Sequence, residues 1–169
     1  MAIRVSALSM ILTLLLLPAC QDMERSELEG QGQGGAAWIS GSVDERFQLI
    51  GEQMGGFSSS KWEVAHRYND LYWAIQDENW AYADYQVDNI SSAIERGMIR
   101  RPGRAESSQN LFLGTPVDDL LAALEAGDGQ AVGQAFTEYT AACNQCHVAE
   151  EMDFIVVGPP EARSTVVQP

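Results

Sequence analysis

An all-α fold is predicted from three observations. Apolar residues recur at three- and four-residue spacing through most of the chain from Ser42 onward, helix-capping signals punctuate those stretches, and no run of strand-like alternation occurs. The specific expectation is a four-helix bundle with an additional N-terminal helix and an extended C-terminal tail. Residues 1–19 read as a removable leader, 20–41 as a flexible tether and 42–169 as the helical domain.

The additional helix opens at Ser42, with Glu45 three residues on as its capping-box partner, and carries Val43, Phe47, Ile50 and Met54 before Gly55-Gly56. A second helix is expected over residues 61–76. It has one apolar stripe of Val64, Tyr68, Leu71 and Ile75 and another of Trp62, His66, Asn69 and Trp73, which predicts burial on two sides. The third, over 79–97, keeps a seam of Trp80, Ala83, Val87, Ile90 and Ile94. A long polar connection comes next, beginning Arg100-Arg101-Pro102-Gly103-Arg104, and connections of that length are usually functional or mobile. Thr115-Pro116 starts a fourth helix with Val117, Leu120, Leu121 and Leu124, and Gly127 ends it. The last helix begins near Asp128 and aligns Val132, Phe136, Tyr139, Cys143 and Cys146 on one seam. From Asp153 the Phe-Ile-Val-Val-Gly-Pro-Pro run cannot remain helical.

The leader has Arg4 followed by an apolar run from Ala7 to Leu17, too short to span a membrane. It ends in Leu17-Pro18-Ala19-Cys20, which resembles the bacterial lipobox. The resemblance implies cleavage before Cys20 and acylation of that cysteine; the alternative is a plain secretory leader with Cys20 incidental. Both readings export the chain. Gln21, by resemblance to sorting rules, points to the outer membrane of a periplasmic, lipid-anchored protein. Residues 21–41 are polar and Gly/Gln-rich, as expected of a tether.

The net charge is -14, from 24 acidic and 10 basic residues, and Lys61 is the sole lysine. Such a surface argues against nucleic acid and anionic lipid headgroups as electrostatic partners. It suits a partner with a basic docking surface, or it serves solubility alone. A homodimer is left open.

One motif carries chemistry: Cys143-Asn144-Gln145-Cys146-His147. Two thiols on one helical turn can add across the vinyl groups of a haem, and the adjacent imidazole can bind its iron, so one covalent haem c is the expected cofactor. A thioredoxin-like redox pair would want a βαβ context, which is missing. A zinc site would need a fourth ligand from His66 or a carboxylate.

Only 22 residues come after His147 (169 − 147). A haem motif in the last helix of an all-α body resembles the class II c-type cytochromes, of the cytochrome c-prime and c-556 type. The resemblance covers roughly residues 60–150, and its one sharp motif is the haem site. It implies a four-helix bundle with haem near one end. One departure stands out: that family usually has a basic residue shortly after the motif, whereas Val148-Ala149-Glu150-Glu151 occupies those positions here.

Candidates for the second axial ligand are His66, Met98, Met54 and Met152. Met152 is too close in sequence to His147 to reach the opposite side of a haem plane. With up-down-up-down order, the C-terminal end of the last helix shares a layer with the start of the second helix and the end of the third, which favours His66 and Met98. His66 ligates iron or bonds a neighbour at the edge of the buried face. The same layer places Arg100, Arg101 and Arg104 near the haem propionates, or on an exposed basic loop. Trp62, Trp73, Tyr139 and Phe154 are expected to pack.

No catalytic triad, paired-carboxylate site or phosphate loop is evident, and no enzymatic activity is expected. The expected function is periplasmic one-electron transfer to or from a redox protein. The alternatives are a five-coordinate haem protein that binds nitric oxide or carbon monoxide, and a haem-carrying structural subunit of a membrane complex.

Overall fold

A computed structural model describes residues 38–163, and these are helical, with no strand among them. The leader, Cys20 and most of the tether lie outside the described residues.

Helix α1 (Val43–Gln53) belongs to a compact unit of its own, separate from the remaining helices. Its capping box is made: the Glu45 carboxylate accepts from the Ser42 amide and hydroxyl, both at 2.7 Å. None of its residues is buried, and Val43 and Phe47 are exposed.

The second unit begins at Met54 and holds α2 (Phe57–Gln76), α3 (Trp80–Arg100), a 3-10 turn (Pro102–Arg104), α4 (Ala105–Leu111), α5 (Thr115–Ala126) and α6 (Gly129–Ala149). Local chemistry explains the boundaries. The Asn79 side chain accepts from the Tyr82 amide to start α3, and Asp128 accepts from the amides of Gln130 and Ala131 to start α6. Pro116 sits in the first turn of α5, and Gly127 ends it at φ +68°. Short links make α2/α3 and α5/α6 antiparallel hairpins, while α3 packs on α5 and α2 touches α6. The long connection is partly ordered as the 3-10 turn and α4, and α4 packs on α6.

The core is built on the seams the periodicity picks out, joined by Phe112 from the connection expected to be polar. Leu71, Val87, Ile90, Leu120 and Val132 are fully buried, each adding about 1.5–3 kcal/mol by the transfer of its side chain from water. Tyr68, Phe136, Phe112 and Tyr139 stack through the middle, with Tyr68–Phe136 ring centres 5.4 Å apart and Phe112–Tyr139 4.8 Å.

Two-sided burial of α2 is not what forms. The stripe of Tyr68, Leu71 and Ile75 faces the core, but Trp62 is 83% exposed and His66 is exposed. Only the C-terminal end of the second stripe is covered: the Arg163 guanidinium lies 4.6 Å from the Trp73 ring centre. The helices α3 and α6 bury one face of α2, and the returning tail reaches only its far end.

Candidate functional site

The motif occupies the last turns of α6, and the residues immediately after that helix shape it. Glu151 takes a left-handed conformation at φ +57°. The amides of Glu151 and Met152 then bond back to the carbonyls of Val148 (3.1 Å) and His147 (2.8 Å), a Schellman cap with glutamate where glycine is usual. The chain thereby reverses, and residues 152–163 return along the helices.

This tail meets the motif in two places. His147 donates Nδ1–H to the Ile155 carbonyl at 2.7 Å. A carbonyl can only accept, so this contact assigns the proton to Nδ1 and leaves the Nε2 lone pair free to bind a metal. Asn144 donates Nδ2–H to the Val157 carbonyl at 2.9 Å, and its Oδ1 accepts from the Val157 amide at 2.8 Å. Farther on, Asn69 donates to the Ala162 carbonyl at 3.0 Å, and Arg163 forks onto Asp77 with Nη2 at 2.6 Å, which holds the Asp77 carboxyl below its usual range.

The two thiols have different surroundings. Cys143 turns inward toward Tyr68 and Tyr139, and burial pushes its thiol up to about 12. Cys146 lies under α4, near the Ser107 and Ser108 hydroxyls. Burial raises this thiol too, with those hydroxyls and nearby Lys61 pulling it down. Neither thiol has the depressed pKa of a reactive dithiol, which speaks against the redox-pair alternative. The Tyr139 hydroxyl, shut away beside Cys143, has no hydrogen-bond partner, whereas Tyr68 pairs with Thr140 at 2.8 Å.

The expected layer forms in part. Lys61 at the start of α2 lies near Cys146, Glu150 and Arg104. Arg104 pairs with Glu150, which also accepts from Ser107. The other arginines do different things: Arg101 donates to the Arg100 carbonyl at 2.8 Å and is exposed, and Arg100 is the last residue of α3. Met98 is half-buried near the end of α3, Met152 is half-buried beyond the motif, and Met54 is 52% exposed.

His66 is not brought to the motif. The face of α2 that meets α6 carries Lys61 and Tyr68, and His66 lies roughly 140–160° around the helix from both. Its side chain is 53% exposed, with Nε2 3.6 Å from the buried Asp70 carboxylate. Asp70 also accepts from the Tyr82 hydroxyl at 3.3 Å. What His66 lies beside is a carboxylate on its own helix, not the motif.

The residues present fit a covalently held haem by donor chemistry: two inward thiols one turn apart and an imidazole with a fixed tautomer. Among the described residues, no group of three or more His, Cys, Asp and Glu gathers around a common point, and no helix is long and apolar enough to cross a membrane. A cleft of about 600 Å3 opens elsewhere, between the first half of α3 and α5, lined by Trp80, Asp84, Asp88, Asp118 and Glu125.

Sequence reasoning missed the roles of Asn144, the Ile155 carbonyl, Ser107 and Ser108: Asn144 lies between the cysteines, where the motif sets no residue type, and the others lie outside the motif. Glu150 was visible only as a departure from the family pattern. Lys61 was visible as the sole lysine. Comparison with protein-family models, curated proteins and solved structures gives no match.

Proposed function

We propose that this chain is an exported, lipid-anchored monohaem c-type cytochrome, and that α2, α3, α5 and α6 form a four-helix bundle of the class II kind with α1 appended. The observation that carries the reading is Cys143-x-x-Cys146-His147 with Nδ1 of His147 engaged by the Ile155 carbonyl. That contact leaves the nitrogen required for iron, in the ring orientation the tail imposes. When bound, haem supplies one reversible electron per iron. Cys143 and Cys146 hold it covalently, His147 provides the proximal nitrogen, and Arg104 and Lys61 supply positive charge beside the motif. The acidic surface suits a redox partner with a basic docking face.

Acid-acetone extraction tests the central claim. Colour should stay with the protein; haem that extracts freely, or zinc in place of iron, would sink it.

The position of His66 favours a second reading, a five-coordinate haem protein that binds nitric oxide or carbon monoxide. With His66 turned away, Met98 is the half-buried sulfur candidate from the expected layer. A high-spin oxidised spectrum and carbon monoxide binding on reduction would select the gas-binding reading, and a low-spin spectrum would select electron transfer.

A further inference from the structure

We propose that Asn144, the first residue between the two cysteines, is a positioning residue for His147, acting through the tail. The proposal rests on the haem c reading for its consequence at iron, but not for its geometry.

The primary amide of Asn144 presents a donor and an acceptor in one plane, and Val157 presents a carbonyl and an amide. The two meet as a matched pair at 2.9 and 2.8 Å. Nδ2 also lies 3.3 Å from the Thr140 carbonyl one turn back, which ties the side chain to α6. Val157 is close in sequence to Ile155, whose carbonyl receives the His147 proton. On the other side, the Ile155 amide bonds the Met152 carbonyl at 2.8 Å, and the Met152 amide bonds the His147 carbonyl.

The acceptor of His147 is therefore suspended between the helix cap and the Asn144 clasp. Burial contributes little to holding it. Asp153, Phe154, Ile155 and Val156 are all exposed, and Val157 alone packs partly on the core. The position of the Ile155 carbonyl, and with it the tautomer of His147, thus depends on hydrogen bonds that Asn144 supplies. Aspartate could still accept from the Val157 amide but would set a carboxylate oxygen against the Val157 carbonyl. Alanine removes both bonds.

The test compares full-length wild type, Asn144→Asp and Asn144→Ala by three measurements. Amide exchange at Val157 should run about tenfold faster in Asn144→Ala, the factor that loss of one net hydrogen bond gives, and by less in Asn144→Asp. The ring 15N shifts of His147 in the haem-free chain should move from a single Nδ1–H tautomer in wild type to a mixture. In the haem-loaded protein, the iron–histidine stretch of the reduced form should fall and the reduction potential should rise, because a weaker Nδ1–H bond makes the ligand a poorer donor to ferric iron.

Faster Val157 exchange with an unchanged His147 tautomer and unchanged potential would overturn the proposal, leaving Asn144 as a structural clasp alone. Unchanged Val157 exchange would overturn it outright. If wild type carries no haem, the haem reading fails, and the 15N tautomer measurement still decides the role of Asn144. If Asn144→Ala does not fold, Asn144→Asp carries the same measurements with smaller shifts, and an Asn144→Asp protein identical to wild type in all three would refute the proposal.

Discussion

Arg104 closes an ion pair on Glu150, three residues beyond His147, from the turn that leads into α4. Both side chains are substantially covered, at 30% and 19% exposure. The acid that comes after the motif is thus met by a base from another part of the chain. Through Ser107 the same carboxylate also holds α4 over Cys146.

Removing Arg104 leaves a half-buried carboxylate short of its charged partner. Arg104→Ala should cost about 1–3 kcal/mol of stability and loosen α4. Thiol labelling of the folded, haem-free chain reports this directly: Cys146 should react faster in the variant, while Cys143 stays slow because its own burial is untouched. Equal labelling rates for Cys146 in both proteins would show that the pair does not hold α4.

His66→Ala should leave the optical and resonance spectra of the haem protein unchanged, since His66 faces Asp70 on the other side of α2. Met98→Ala is the informative partner. If the wild-type iron is low-spin with a methionine-sulfur band, Met98→Ala should abolish that band and convert the iron to high-spin. A shift to high-spin in His66→Ala would instead require α2 to turn when the haem protein forms.

Glu151 holds a left-handed backbone that suits glycine. Glu151→Gly should raise stability by about 1 kcal/mol, read as an upward shift in thermal midpoint with the His147 environment preserved. A lowered midpoint would show that the greater freedom of the unfolded glycine chain outweighs the relief.

Cys20→Ala tests the export reading. The variant should leave the membrane fraction and appear among soluble periplasmic proteins, because the lipobox reading makes the acyl chains on Cys20 the anchor. Unchanged fractionation would count against lipid attachment at Cys20.

The sequence by itself determined the features that one or two helical turns decide. Asn79, Gly127 and Asp128 punctuate the helices where their side chains or backbones satisfy neighbouring amides and carbonyls, Pro116 fits the first turn of its helix although Thr115 makes no cap bond, and the seams of α3 and α6 bury as their spacing predicts. The Cys-x-x-Cys-His motif is equally local, and it was visible before any fold. Tertiary structure alone decided the rest. Trp62 and His66 share an aromatic-looking stripe with Trp73, yet whether that stripe is covered depends on where α3, α6 and the tail lie, and they bury the other face. The pairing of Glu150 with Arg104 joins residues 46 apart. The clasp of Asn144 on Val157 exists because Glu151 turns the chain back through a left-handed conformation that a glutamate does not announce. Contacts of that kind depend on packing between distant segments, and no periodicity within a single segment encodes them.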